Sequence, residues 1–403
     1  MMADAGKSPW LTIIGWGESG IAGLTQASRD ALEQAELVFG ARRHLEVLPA
    51  LSVGVREWPV PFADGIPDIL AERGRPVVML VSGDPFWFGA GTVLAKYLSP
   101  DEWVAQPAPS TFSLAAAKLG WGIESLQCLG LHAAPVTRVR PCLQPQHRLI
   151  VLLRDGNAVA DLACCIEQWG FGPSQLHILE ALGGERERIR TVHSHDALPM
   201  DIQHPVAVAL EVAGKGPAVP RTSGIPDHFF DHDGQITKQP VRAVTLSALA
   251  PQAGERLWDI GTGSGSIAIE WLLADPRNQA IAFDTSAERT ARAQSNASAL
   301  GVDWLQVVHG RVPEALEGQA VPDAVFIGGG LSQALLETLW SCLPEGVRIV
   351  ANAVTLESET LLVHWQHQKG GDLLRLEVST AGAIGPRRGW QANYPIVQWR
   401  VTR

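Results

Sequence analysis

The second half of the chain alternates between two rhythms of apolar positions. Lys238–Ala250 sets Val241, Val244, Ala248 and Leu249 on one face, the spacing of an amphipathic helix. Beyond it, short apolar runs predict strands over 256–260, 280–284, 305–308, 323–327 and 347–352. Longer stretches between them predict helices over 266–274, 287–300, 332–343 and 356–369. Alternation of this kind implies a parallel, doubly wound α/β sheet. Two closing strands, near 373–379 and 394–401, have no helix between them and predict a terminal hairpin.

The first half also alternates. Trp10–Ile14 reads as a strand that ends in Gly15-Trp-Gly-Glu-Ser-Gly20, and a helix follows from Thr25 to about Ala35. Val77–Val81 reads as a buried strand, turned by Ser82-Gly-Asp-Pro85 into a helix beginning near Phe86. Pro107-Ala-Pro-Ser-Thr111 precedes another helix. From Leu149 a strand, a helix over 158–168 and strands near 175–180, 187–192 and 205–211 predict a second, strand-rich subdomain. The halves are not copies of each other. Val212–Gly224 is punctuated by Gly and Pro without periodicity and reads as a linker. The expected division is 1–213, a linker over 214–224, and 225–403.

Length and charge narrow the picture. At 403 residues the chain suits two domains, each able to bury a core. A net charge of -10 argues against a general nucleic-acid binder. Met1–Pro9 is polar, so no signal peptide is expected, and no apolar run approaches the ~20 residues of a membrane span. Five cysteines lack C-x-x-C spacing and are expected to be reduced core thiols of a cytosolic chain, with no metal site. His193 and His195 have the spacing of a metal pair but no third ligand nearby, and are expected at the surface.

Candidate chemistry concentrates in Leu257–Trp271. An apolar run ends in Asp259 and passes through Gly261, Thr262, Gly263, Ser264 and Gly265 before turning helical at Ile267. The spacing is G-x-G-x-G, not the G-x-G-x-x-G of a dinucleotide site. Asp284 ends the next strand, about 20 residues beyond the turn, where a carboxylate can accept both hydroxyls of a ribose. A nucleoside without a pyrophosphate fits this layout, and S-adenosylmethionine (SAM) is the commonest such ligand. The helix start after Gly265 offers N–H groups to the methionine carboxylate. Asp259 stands either for the methionine ammonium or as a brace of the turn. Gly310-Arg-Val-Pro-Glu-Ala-Leu316 follows the third strand, where an adenine would be flanked. Gly328–Gly330 lacks the polar-Pro-Pro-aromatic tetrad of exocyclic-amine methylases and leaves room for a bulky substrate.

In the first half, Gly15–Gly20 lacks the G-K-[ST] of a P-loop and is either a tight turn or a ligand loop. At Ser82–Phe86, Asp84 is placed to cap a helix and Gly83 to bring bare backbone to a ligand. His132 is a pocket candidate. Two stretches of this acidic chain carry no acid. Ser125–Arg154 holds Arg138, Arg140, Arg148 and Arg154, and Ala381–Arg403 holds Arg387, Arg388, Arg400 and Arg403. Guanidinium forks there suit a polycarboxylate, or simply a solvated surface.

Together these segments resemble the fused precorrin-6B (precorrin-6Y) C(5,15)-methyltransferase (decarboxylating) family of cobalamin biosynthesis. The first half resembles a tetrapyrrole methylase through Ile14–Thr25, Ala35–Leu45, Ser82–Phe88 and Pro109–Phe112. The second half resembles the decarboxylating partner through Ile236–Arg242, the glycine turn, Asp284, Pro313–Leu316, Ile327–Gly330 and Arg348–Asn352. Two positions depart from the pattern. Glu18 stands where many tetrapyrrole methylases have Pro, and Arg311 where an acid is common.

The resemblance implies an N-terminal two-subdomain tetrapyrrole-methylase-like α/β fold followed by a C-terminal class I Rossmann-like methyltransferase domain. It implies one SAM per domain, at Gly83, Asp84, Pro85, Ser110 and Thr111 in the first. In the second it implies Thr237, Asp259, Gly261, Thr262, Gly263, Ser264, Gly265, Asp284 and Val312. The substrate would be a tetrapyrrole methylated at carbons 5 and 15 and decarboxylated at its ring-C acetate. Arg387, Arg388 and His132 are the candidate substrate contacts, and no catalytic residue is assigned. A cytoplasmic homo-oligomer with no nucleic-acid or membrane partner is expected. The rival readings are an RNA methyltransferase and a SAM-sensing scaffold without turnover.

Overall fold

The computed structural model describes residues 9–49 and 53–403. The polar opening segment, Pro9 apart, lies outside the described residues. Two compact units are present: the chain up to Ala134 with Gln144–Pro217, and Pro135–Leu143 with Ala218–Arg403. The nine residues Pro135–Leu143 thus cluster with the second unit although the expected boundary put them in the first. Arg138 explains their attachment: it grips Asp303 through two hydrogen bonds, of 2.6 and 3.0 Å, and lies over the Trp304 ring. Residues 212–224 form no helix or strand.

The first unit contains two sheets. Strands β1 (Leu11–Trp16), β2 (Leu37–Gly40), β3 (Gly54–Glu57), β4 (Val77–Ser82) and β5 (Trp103–Gln106) pair in the order β3-β2-β4-β1-β5, all parallel. Ile13, Phe39 and Met79 enter one core and Ile14, Val38 and Leu80 the other. Both faces are therefore covered, which is why these strands read as continuous apolar runs rather than alternating ones. Strands β6 (Gln127–Gly130), β7 (Arg148–Leu153), β8 (Gln175–Glu180), β9 (Arg188–His193) and β10 (Val206–Glu211) form a mixed sheet, β6-β7-β10-β8-β9.

The second unit is built on β11 (Arg256–Ile260), β12 (Gln279–Asp284), β13 (Gln306–His309), β14 (Ala324–Ile327) and β15 (Arg348–Ala353). Strands β16 (Asp372–Leu376) and β19 (Ile396–Thr402) extend it to the order β13-β12-β11-β14-β15-β19-β16, while β17 (Ser379–Ile384) and β18 (Arg387–Ala392) form a separate ribbon. The first five strands are parallel, and β19 pairs antiparallel with both β15 and β16. Ser286, Ser332 and Thr355 each cap the following helix by accepting a backbone N–H, which satisfies one donor left open at a helix start.

Three expectations are corrected. No helix starts near Phe86. The Asp84 carboxylate accepts the Phe86 N–H at 2.8 Å, Phe88 adopts a left-handed φ of 55°, and a short helix begins only at Gly91. The closing strands do pair, but the chain between them folds into the separate two-stranded ribbon β17–β18, turned at Gly385 (φ 55°). The cysteines are not uniformly core thiols: Cys164 and Cys342 are exposed, Cys142 and Cys165 half-buried, and only half-buried Cys128 among the described residues packs against a core, that of Phe112 and Leu179.

Candidate functional site

In the second unit the sheet order reverses between β11 and β14, so their carboxyl ends flank a crevice, the usual ligand position in open α/β sheets. The glycine turn enters it. Gly261 has φ 71°, and a Cβ there would lie 2.6 Å from the Gly329 backbone, so two bare loops abut where β11 and β14 end. Thr262 and the Ala268 N–H both donate to one Asp259 oxygen, at 2.7 and 3.2 Å. Asp259 is therefore a brace of the turn. Burial pushes its carboxyl up to about 6 against those two hydrogen bonds, and the nearby Asp284 charge adds to the rise.

Asp284 accepts the N–H of Gly263 at 3.0 Å on one oxygen and of Ser286 at 2.9 Å on the other. An ionised carboxylate offers about four acceptor sites, so two remain. Gly263 also lies against the Gln235 carbonyl, which brings the segment before Thr237 to the turn. Val312 faces Gly330 across the loops that follow β13 and β14. The Ser264 hydroxyl is buried without a hydrogen-bond partner among the described residues. An orphaned buried hydroxyl beside the glycine turn fits a polar ligand laid against it.

The residue that holds this region together was not legible in the sequence. Arg242 is fully buried. It donates to Glu270 at 2.5 Å, to Asp227 at 3.0 Å and to the carbonyls of Ile225 and Thr237. Glu270 in turn accepts the N–H groups of Gly224 and Ile225. The ion pair pins the segment that carries Thr237 against the helix Ser266–Ala274.

The first unit has its own cavity, about 540 Å³. It opens where β1 and β4 end, and Ser82, Gly83, Asp84, Ser110, Thr111 and His132 all line it. Gly83 has φ 59°, and a Cβ there would lie 3.3 Å from the Ser110 Cα. Ser110 caps the helix Thr111–Leu119 by accepting the Ser113 N–H at 3.1 Å. Pro85 does not line the cavity but packs over Gly91. At the rim Arg43 donates to Ser82 at 2.5 Å, and Ser82 lies 3.3 Å from the His44 ring. Burial, with the Arg43 charge beside it, brings the His44 imidazole down to about 4, so it is neutral at physiological pH.

The two acid-free arginine stretches are not acid-free in space. Arg138 is held by Asp303, Arg148 by Glu211, Arg154 by Asp155 and Arg400 by Asp372. Arg140 is buried beside Phe229, and Arg403 donates to the Trp340 carbonyl. Arg387 and Arg388 are exposed on β18 and form no ion pair among the described residues. Because β18 pairs only with β17, the sheet whose strand ends form the crevice does not carry them. His193 and His195 stack on each other 5.6 Å apart. Among the described residues no helix is long and apolar enough to cross a membrane.

Residues 11–195 match the tetrapyrrole (corrin/porphyrin) methylases and residues 228–403 the precorrin methyltransferase domain. Fold and family matches together define a methyltransferase of two α/β units. A precorrin-6Y C(5,15)-methyltransferase [decarboxylating] of Sinorhizobium sp. is 46% identical over 98% of this chain and 97% of its own. One from Mycobacterium tuberculosis is 36% identical over 98% of this chain and 100% of its own. The solved C-terminal domain of precorrin-6Y C5,15-methyltransferase from Rhodobacter capsulatus is 49% identical, covering 46% of this chain and 100% of that one, with a TM-score of 0.45. The chain belongs to the precorrin-6Y C(5,15)-methyltransferase (decarboxylating) family.

Proposed function

We propose that this enzyme methylates carbons 5 and 15 of precorrin-6B (precorrin-6Y) and removes the carboxylate of its ring-C acetate to give precorrin-8. What supports the reading is the Gly83–Ser110 cavity of the first unit, together with the glycine turn and Asp284 at the strand ends of the second, in a chain collinear with the Sinorhizobium relative. The near full-length likeness to precorrin enzymes, with the chain's net charge of -10, leaves the RNA-methyltransferase reading without support.

One SAM is assigned to each unit, where it supplies an activated methyl group. In the second unit the two remaining acceptor sites of Asp284 suit the ribose hydroxyls, and the start of the helix Ser266–Ala274 suits the methionine carboxylate. Asp259 suits the ammonium, in addition to bracing the turn. Thr237, Ser264 and Val312 close the site around them. In the first unit Gly83, Asp84, Ser110 and Thr111 play the corresponding part. The bridging carbons of a reduced tetrapyrrole are electron-rich, so no covalent enzyme nucleophile is required. The protein holds the reactants in line and excludes water. In the decarboxylation carbon dioxide leaves, the electron pair of the broken bond passes into the conjugated macrocycle, and a proton taken up at the former acetate carbon completes a methyl group; the protein orients the acetate. A homo-oligomer is inferred by family analogy alone.

Mass spectrometry of precorrin-6B after incubation with labelled SAM tests the reading. Two added methyl groups and one lost carboxyl are expected, and an unchanged tetrapyrrole would overturn it. Asp284→Ala should lose carbon-15 methylation and retain carbon-5 methylation. Normal carbon-15 methylation at ordinary SAM concentrations would show that the second site is misplaced.

A further inference from the structure

We propose that Glu18 is a stand-in carboxylate, seated between Arg43 and Arg186 at the rim of the first unit's cavity until a pendant carboxylate of the substrate takes its place. The inference rests on the tetrapyrrole reading above and adds to it a subsite and the residue that guards it.

Glu18 follows β1 and lines the cavity. One of its oxygens accepts from Arg43 at 3.3 Å and the other from Arg186 at 3.1 Å. Charge-assisted hydrogen bonds usually run about 2.7–2.9 Å, so both contacts are loose. Contrast the arginine pairs that hold the fold: Arg188 reaches Glu180 at 2.7 Å and Asp201 at 2.6 Å. Arg43 is itself firmly placed, because its other terminal nitrogen donates to Ser82 at 2.5 Å. The turn that precedes Arg186 packs against Glu18, where a Cβ at Gly184 would lie 2.6 Å from the Glu18 Cβ. The rim therefore offers two guanidiniums, from distant parts of the sequence, to a single weakly held anion.

Charge balance favours exchange. Two cations face one carboxylate, leaving net positive charge at the mouth. His44, deeper in, is neutral. His204 also lines the cavity, and burial together with Arg43 lowers its pKa as well. Asp84 is the other acid in the lining, and it is already engaged by the Phe86 N–H. The side chains of Arg43, Arg186 and Glu18 are 37%, 60% and 23% exposed, so replacing one carboxylate by another costs little desolvation. A substrate that bears many carboxylates can supply the replacement without leaving either guanidinium unpaired. A neutral ligand cannot. Glu18 then acts as a competitor that keeps the arginines apart and oriented in the empty enzyme.

The test uses full-length enzyme and measures the KM for the tetrapyrrole in carbon-5 methylation beside the KM for SAM. Glu18→Gln keeps the size and removes the charge. It should lower the tetrapyrrole KM by roughly two- to fivefold, the worth of an exposed ion pair. Arg43→Ala and Arg186→Ala should each raise it, Arg43→Ala by roughly tenfold. The SAM KM should move less in every variant, whereas a collapsed cavity would raise it too. Glu18→Asp, which retracts the charge without removing it, should fall between wild type and Gln. A tetrapyrrole KM that rises or stays put in Glu18→Gln overturns the inference and leaves Glu18 a plain brace. Failure of wild-type enzyme to methylate the tetrapyrrole at all overturns the functional reading instead.

Discussion

Asp259→Asn separates what the turn needs for stability from what it needs for its ligand. Asp259 is 1% exposed, and burial raises its carboxyl to about 6. A rise from the ordinary value near 4 is worth ~3 kcal/mol. Between pH ~4 and ~6 the native state holds a proton that the unfolded chain has released, so native stability falls as pH rises through that window and stays at the lower level above it. Asparagine keeps an oxygen for Thr262 and the Ala268 N–H but carries no charge. The variant should therefore gain up to ~3 kcal/mol over wild type near pH 7 and lose that advantage below pH ~4. Amide hydrogen exchange of β11 in the full chain, read by mass spectrometry across this range, measures the difference. SAM retention by the second unit should weaken in the same variant, because the ammonium loses its counter-charge. In wild type it should weaken as pH drops through about 6. A stability difference that ignores pH, or a wild type more stable than the variant near neutrality, would refute the burial argument. Undiminished SAM binding by Asp259→Asn would refute the ligand role.

Gly261→Ala should abolish SAM retention in the second unit and destabilise it by about 2–4 kcal/mol, from the positive φ and the approach to Gly329; denaturant unfolding and labelled-SAM retention check both. Arg242→Met should cost about 3–5 kcal/mol by stranding buried Glu270 without its cation, and adding Glu270→Leu should recover part of the loss in the same unfolding assay. Alanine at both Arg387 and Arg388 should raise the tetrapyrrole KM strongly with the SAM KM unmoved; unchanged steady-state kinetics would remove them from the substrate site.

The local parts of this protein were legible in its sequence, and the distant pairings were not. The glycine turn, Asp284 and the alternating strands of the second unit are patterns within a few tens of residues, and each forms where the pattern predicts. The first unit's lining was likewise visible at Gly83, Asp84, Ser110, Thr111 and His132. Asp84 shows the limit: a short carboxylate after a glycine can cap a helix or close a turn on its own neighbour, and Phe88 in the left-handed region decides for the turn. Arg138 and Arg148 looked available because their acids, Asp303 and Glu211, lie far along the chain. Arg242 carried no signal of burial, since an arginine on a helix face is ordinarily solvated. The short strands β2, β3, β5 and β6 of the first unit are likewise absent from the sequence reading.

The excursion of Pro135–Leu143 has a consequence for anyone dissecting the enzyme. Severing the polypeptide within 212–224 frees a C-terminal fragment stripped of Arg138, and with it the clasp on Asp303 and the cover over Trp304. Such a fragment exposes the Trp304 ring and leaves Asp303 without the Arg138 guanidinium. The two compact units are thus interleaved in the primary structure.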